Sequence, residues 1–331
     1  MSGVRRFLFN LKNVFFIVGP TATGKSELAA IVARKLDAEI VGADAFQIYR
    51  GLDLLTAKPD SATLAKVPHH LIGTMSVLDK MSAEKFRELA LRAISEIHSR
   101  GKLAVVVGGS GLYIKTLTHG LSIVPSADPD LRVQMNELSL ADLQKKLRGL
   151  DPQTAVDLKN RRRVVRAIEI CLVSGKAASE QRTAWTAAAP LKDADSWDDS
   201  KNRGGASHSE ETEGVFACRD RDDLYQSINR RVEAMFDAGV VEEVNAAGAM
   251  GETASKMIGL REIRALLDRK MSMSQCVAAI QQATRRYAKR QLTWFRRQTN
   301  FERLNLSLLS TNEAVKWISQ KARLAFAQGN D

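Results

Sequence analysis

Residues 14–36 read VFFIVGPTATGKSELAAIVARKL, and this stretch decides the fold. Its first five residues, Val14-Phe15-Phe16-Ile17-Val18, form the continuous apolar run of a strand buried on both faces. Leu28, Ile31, Val32 and Leu36 then share one face of a helix over 27–36. Between strand and helix, Gly19-Pro20-Thr21-Ala22-Thr23-Gly24-Lys25-Ser26 matches G-x-x-x-x-G-K-[ST] in the context that motif requires. The glycines let backbone N–H groups approach a phosphate, the helix N-terminus adds partial positive charge, and Lys25 adds a full one. The Ser26 hydroxyl is the group that holds Mg²⁺ in such a loop. The bland alternative is a chance Gly-rich turn, which the strand, the spacing, the Lys and the Ser together argue against. The loop predicts a bound di- or triphosphate without saying which.

Outward from this loop, residues 39–43 and 103–107 read as further strands. Phe86, Leu89, Ala90, Ala93, Ile94 and Ile97 between them have helical spacing. Such alternation predicts an α/β core, a parallel sheet with helices on both faces. Asp44 follows the second strand, where a Walker-type Asp, a catalytic base or a simple turn cap can sit. A second Gly-rich turn, Gly108-Gly109-Ser110-Gly111, ends the third strand. Strand ends in a doubly wound sheet converge on one crevice, so the loop 19–26, Asp44 and Ser110 are expected to share a site.

After Gly120 the pattern turns helical and polar, predicting a mostly helical insertion over 121–191. Residues 192–214 contain no Ile, Leu, Val, Met or Phe and read as a flexible polar linker. The core is expected to comprise 1–120 and 215–331, with a strand at 215–217 and helical segments at 222–247, 260–268, 272–297 and 312–326.

The 331 residues carry 49 Lys+Arg against 38 Asp+Glu, a net charge of +11, and 44% are hydrophobic, which excludes wholesale disorder. No run of 18 apolar residues is present, so no membrane-spanning helix is expected. Arg5-Arg6-Phe7-Leu8-Phe9 resembles the start of a targeting peptide, but the apolar run behind it fits a buried strand better. Cys171, Cys218 and Cys276 are scattered and the five histidines lack metal spacing, which predicts neither disulfides nor zinc and fits a reducing cytoplasm. The acids crowd into the linker, leaving the remainder more basic than the net charge indicates.

The cations are concentrated in two places. On a helix over 284–297, Arg285, Arg286, Lys289, Arg290, Arg296 and Arg297 fall within an arc of about 140°. Tyr287, Ala288, Leu292, Trp294 and Phe295 fill the opposite arc, so one face should dock and the other present charge. Lys159, Arg161, Arg162, Arg163 and Arg166 form the second cluster, in the insertion. A solvated basic face or a membrane-surface helix is the alternative reading; two patches beside a phosphate loop favour a nucleic acid.

Taken together, these segments resemble the tRNA dimethylallyltransferases, also called tRNA isopentenyltransferases. The resemblance rests on GPTATGKSELA, DAFQIYRGLDLLTAKP (44–59), PHHLI (68–72), GGSGLYIK (108–115), PSADPDLR (125–132), RRVVRAIEI (162–170), RDDLYQSINRRVEAMFDAGVVEEV (221–244), MIGLREI (257–263) and TRRYAKRQLTWFRR (284–297). It implies transfer of a dimethylallyl group from dimethylallyl diphosphate to N6 of adenosine 37 in tRNAs reading codons that begin with U. It implies Mg²⁺ at Ser26, diphosphate on Gly19 through Ser26, and catalytic roles for Asp44, Ser110 and Arg221. Asp44 would accept the proton of the amine, and Gln47 would hydrogen-bond the adenine.

For tRNA, the resemblance marks Asp44, Ala45, Phe46 and Gln47, Ser110, Arg132, and Arg162, Arg163, Val164, Val165 and Arg166. It further marks Met257, Ile258, Gly259, Leu260, Arg261 and Glu262, and Thr284, Arg285, Arg286, Tyr287, Ala288, Lys289, Arg290 and Gln291. The anticodon stem-loop is the expected partner, with the insertion gripping it, and a cytoplasmic monomer is expected. No His follows His208, so the compact bacterial type is implied and the C-terminal zinc finger of eukaryotic relatives is not expected.

The sequence departs from the family's usual pattern at Ala45 (usually Ser), Leu54-Leu55 (Ile-Gly), Gly73 (Asp), Arg162 (Gln), Leu260 (Tyr) and Ser110 (Thr). Lys25, Asp44, the Ser110 hydroxyl and Arg221 remain. The competing readings are a small-molecule or nucleotide kinase with the same loop, and an RNA-binding ATPase without transfer chemistry.

Overall fold

The computed structural model describes residues 11, 13–120, 128–181 and 212–328. The chain divides into two compact units, residues 1–118 with 190–331 and residues 119–189. In chain order the elements are β1 (Val14–Val18), α1 (Lys25–Lys35), β2 (Ala38–Gly42), α2 (Ser61–Leu64), β3 (His69–His70), α3 (Ala83–Ser99), β4 (Leu103–Gly108) and α4 (Gly111–Thr118). The second unit holds α5 (Pro129–Glu137), α6 (Leu140–Leu150), α7 (Arg161–Ser174) and α8 (Ala178–Gln181). The first unit resumes with β5 (Glu213–Cys218), α9 (Arg221–Asp237), α10 (Val240–Ala246), α11 (Leu260–Leu267), α12 (Met273–Gln298), β6 (Glu302–Asn305) and α13 (Thr311–Gln328).

The six strands form one parallel sheet in the order β3-β2-β4-β1-β5-β6. β1 lies inside it, and the period of two sends its side chains to both faces. Val14, Phe16 and Val18 enter the core shared with α3, α4 and α9 through α12, while Phe15 and Ile17 enter the one shared with α1 and α13. Burial of each such large side chain contributes roughly 1.5–3 kcal/mol, which explains a run with no polar position. Among the described residues, no helix is long and apolar enough to cross a membrane.

Several expectations shift. β5 begins at Glu213, so residues 213 and 214 leave the expected linker for the sheet; residues 192–211 lie outside the described residues, as do Arg5 through Phe9. Gly214 belongs in the strand because a Cβ there would come within 2.7 Å of the Phe16 Cβ. The helical stretch 222–247 is two helices, α9 and α10, parted at Gly239. β3 and β6 went unexpected, since two-residue and polar sheet-edge strands lack an apolar run.

The second unit has its own core, in which Leu143, Leu147, Val164 and Ile168 are fully buried. Asp128, Ser139 and Asn160 cap α5, α6 and α7 by accepting backbone N–H bonds. Glu169 is buried there between two arginines, its carboxylate accepting from Arg132 Nε and Arg166 Nη1.

Candidate active site

β1, β2 and β4 are neighbours in the sheet, and their C-terminal ends are stitched together. Gly19 N–H donates to Gly108 O (3.2 Å), Ala43 N–H to Val107 O (2.7 Å) and Ser110 N–H to Ala43 O (3.2 Å). The approach is so close that a Cβ on Gly108 would sit 2.1 Å from Ala43 O. The first-unit residues expected to converge do so: the 19–26 loop, Asp44 and Ser110 meet at one end of the sheet.

A cavity of about 290 Å³ opens there, lined by Thr21, Lys25, Ser26, Asp44, Gln47 and Arg231 among others. Lys25 Nζ donates to Pro20 O (3.1 Å). Burial pulls the Lys25 pKa down to about 8, against the attraction of Asp44 and reinforced by Arg231. Burial likewise lowers the Arg231 pKa, again opposed by Asp44. Two desolvated cations therefore share a cavity at a helix N-terminus with the Asp44 carboxylate. That arrangement favours an incoming polyanion.

Asp44 Oδ1 accepts from Phe46 N–H (2.9 Å) and Gln47 N–H (3.3 Å), so the turn-cap role and the cavity position coexist in one side chain. Its Oδ2 has no hydrogen bond among the described residues. Ser110 is nearly buried, and its Oγ accepts from Ala45 N–H (2.9 Å), next to Asp44. The Tyr287 hydroxyl interacts with Ser110 and Gln291; burial first and Asp44 second push its pKa up. Gln47 Nε2 donates to Thr56 O (3.3 Å) and Ala57 O (2.8 Å), which leaves Oε1 as the part of the amide still able to pair.

Two residues matter more than the sequence indicated. Arg231 Nη1 donates to Thr21 Oγ1 (2.7 Å) in the phosphate loop. It, and not Arg221, is the α9 arginine that lines the cavity. Arg221 lies at the exposed first turn of α9 with its guanidinium over the Tyr225 ring, 5.3 Å from the centroid. Gln291 is buried on α12; its Oε1 accepts from Thr21 N–H (2.9 Å) and its Nε2 donates to Gly109 O (2.8 Å). The signal was the same for both. Arg231 falls in the buried stripe Leu224, Ile228, Val232, Met235, and Gln291 in the stripe Thr284, Ala288, Phe295. A polar residue at core spacing needs a partner.

The residues expected to meet tRNA differ in exposure. Val164, Val165, Met257, Leu260, Thr284, Ala288 and Gln291 are buried. Arg132 and Arg166 hold Glu169, and Arg161 Nη2 donates to the carbonyls of Met135, Asn136 and Leu138. Arg162 and Arg163 are exposed on α7. On α12, Arg286, Lys289, Arg290, Arg296 and Arg297 are exposed, whereas Arg285 is half-buried and donates to Asn229 Oδ1 (2.8 Å). Phe46 and Tyr287 are half-buried beside the cavity residues, Ala45 likewise, and Arg261 pairs with Glu262. Ile258 and Gly259 precede α11, where a Cβ on Gly259 would sit 3.0 Å from Leu55 Cδ1.

Among the described residues no three His, Cys, Asp or Glu side chains gather as a metal cage. The cavity offers the Ser26 hydroxyl and the Asp44 carboxylate, hard oxygen donors, beside a phosphate cradle. That donor set fits Mg²⁺, which keeps waters and takes phosphate oxygens in place of a full protein cage.

The family model described as IPP transferase matches residues 47–298. The tRNA dimethylallyltransferase 1 of Citrifermentans bemidjiense is 40% identical over 293 residues, 87% of this chain and 90% of the relative. That of Akkermansia muciniphila is 39% identical over 294 residues, 88% and 93% of the two chains. The crystal structure of the full-length tRNA isopentenylpyrophosphate transferase from Bacillus halodurans superposes with a TM-score of 0.67 at 29% identity, covering 96% of this chain and 97% of that one. A eukaryotic dimethylallyltransferase acting on tRNA shares the fold, with a TM-score of 0.69 at 24% identity over 85% of this chain and 69% of the other. The chain belongs to the IPP transferase family, the tRNA dimethylallyltransferases.

Proposed function

We propose that this chain transfers the dimethylallyl group of dimethylallyl diphosphate to N6 of adenosine 37 in the anticodon stem-loop of tRNAs reading codons that begin with U, giving N6-(dimethylallyl)adenosine. The observation that carries this reading is the pair of desolvated cations, Lys25 and Arg231, in one cavity with Asp44 and Gln47. The cations and the loop amides suit the leaving diphosphate; the carboxylate and the amide suit an adenine.

In the reaction the C–O bond between the allylic carbon and the diphosphate breaks, taking its electron pair to oxygen, while a bond forms from N6 to that carbon. An allylic carbon bears the developing positive charge well, so the protein's work lies in neutralising the leaving group and positioning the nucleophile. Lys25, mostly protonated at neutral pH with a pKa of about 8, gains proton affinity as the diphosphate arrives. Arg231 ties the loop through Thr21 and adds the second charge. Mg²⁺, held through Ser26 and diphosphate oxygens, would supply further charge neutralisation.

The N6 lone pair is delocalised into the ring, so removal of a proton assists attack, and the free Oδ2 of Asp44 is the acceptor on this reading. The Ser110 hydroxyl, fixed by Ala45 N–H, stands ready to donate to the diphosphate. The base has to be flipped from the anticodon stack to enter the cavity. The exposed cations of α12, and those of α7, would meet RNA phosphates.

The test is incubation of the pure protein with Mg²⁺, labelled dimethylallyl diphosphate and a stem-loop containing A36-A37-A38. Label on A37 is the expected result. Unlabelled RNA together with ATP turnover or phosphorylated small molecules would overturn the proposal in favour of an ATPase or a kinase.

A further inference from the structure

Outside the catalytic groups, the turn 51–58 next to Gln47 is unusual. Two of its residues, Leu52 (φ 54°) and Ala57 (φ 46°), occupy the left-handed region that side chains disfavour. Such a turn persists only when its surroundings over-determine it. Within the turn, Thr56 Oγ1 donates to Leu52 O (2.7 Å), Ala57 N–H to Leu54 O (3.0 Å) and Lys58 N–H to Asp53 O (3.0 Å).

Leu52 and Leu55 anchor the turn in the core, and its polar restraint from outside is a carboxylate of α10. Glu243 Oε1 accepts from Leu54 N–H (2.9 Å) and its Oε2 from Leu55 N–H (2.8 Å). Both oxygens of a half-buried charge thus fix two successive amides of a strained turn almost 190 residues away in sequence. The next two carbonyls along the turn, those of Thr56 and Ala57, accept from Gln47 Nε2. Reversing the Gln47 amide would set Oε1 against two carbonyl oxygens, so the amide has one stable orientation.

We infer that Glu243 is a positioning residue for base selection. By clamping the turn it fixes the Thr56 and Ala57 carbonyls, which hold Gln47 so that the cavity meets its Oε1, an acceptor, and not its NH₂. This rests on the adenine reading above and deepens it. An acceptor held there receives an exocyclic amine and repels a carbonyl oxygen, so a 6-amino purine is taken and a 6-oxo purine refused. A free glutamine amide could turn to suit either. The pairing of both amide atoms with adenine that Gln makes elsewhere is closed here, because Nε2 is already engaged.

The experiment measures dissociation constants of stem-loops carrying adenosine or inosine at position 37, alongside inorganic pyrophosphate affinity. Wild-type protein should prefer adenosine by roughly ten- to a hundredfold, the range of a good base contact. Glu243→Ala and Gln47→Ala should each bring that ratio close to one, the double variant should lose nothing more, and the pyrophosphate affinity of Glu243→Ala should stay within about twofold. Glu243→Asp, which keeps the charge, should recover part of the preference. A Glu243→Ala protein that keeps the wild-type ratio, or one that loses preference and pyrophosphate binding in parallel while Glu243→Asp recovers neither, would overturn the positioning role. A wild-type protein with no preference would instead sink the adenine reading itself.

Discussion

The cations of the phosphate-loop cavity and those of α12 are the same residue types in opposite situations. Lys25 and Arg231 are recessed, their pKa values lowered by burial, and they share one cavity with Asp44. Lys289 and Arg290 stand in solvent a few residues from the buried Gln291. In water, unit charges about 4 Å apart interact by only about 1 kcal/mol, and salt weakens even that; removal from water multiplies the effect. The first pair can therefore act on a bond that breaks, while the second can only gather and orient a polyanion. α7 of the insertion shows a third situation, in which Arg166 serves the internal partner Glu169 and is not counted toward a ligand. A tally of cations overstates the charge offered to a partner.

Recessed and exposed cations should respond differently to removal. Lys25→Met should lower single-turnover transfer by about 10²–10³-fold with little change in stem-loop affinity, as expected when one preorganised charge is removed from a developing anion. A loss below threefold would place Lys25 with the surface charges. A pH series sharpens the same contrast. The Lys25 pKa of about 8 lies below its ordinary 10.5, so the free protein sheds that proton above pH 8 while the diphosphate-bound protein retains it. Pyrophosphate affinity should accordingly fall as pH rises above about 8, by up to tenfold per unit relative to Lys25→Met, with the proton taken up on binding seen by calorimetry. A wild-type slope equal to that of Lys25→Met would contradict the assignment. The smallest effect belongs to the exposed side: Lys289→Ala should weaken all tRNAs alike by a few fold and reduce the slope of log affinity against log salt by about one.

The same solvation contrast explains what was legible in the sequence. β1, the phosphate loop and α1 could be read because a five-residue apolar run and a fixed Gly-Lys-Ser spacing leave few structures available. The meeting of Asp44 and Ser110 with the loop followed from parallel topology. β3 and β6 were not legible, since a two-residue edge and the polar Glu302-Arg303-Leu304-Asn305 carry no pattern of burial. Arg231 had no expected role, and Gln291 was expected to meet tRNA and not to brace the phosphate loop, because a helix rich in polar residues disguises the one that faces inward. The 100° spacing from Ile228 and Val232, or from Ala288 and Phe295, marks them out once the buried stripe is drawn. Among the family departures, Leu260 is buried where the family usually has Tyr and simply fills core. Ala45 still supplies its backbone N–H to Ser110, so the lost hydroxyl leaves that link intact.

On the proposed reading, a carboxylate and a pair of recessed cations divide the work of one transfer between nucleophile and leaving group. Single-turnover transfer of labelled dimethylallyl to the A37 stem-loop by Asp44→Ala, with stem-loop and pyrophosphate affinities measured on the same protein, tests it most directly. The rate should fall by roughly 10²–10⁴-fold, the range of a lost general base, with both affinities largely kept. A rate equal to wild type would contradict it.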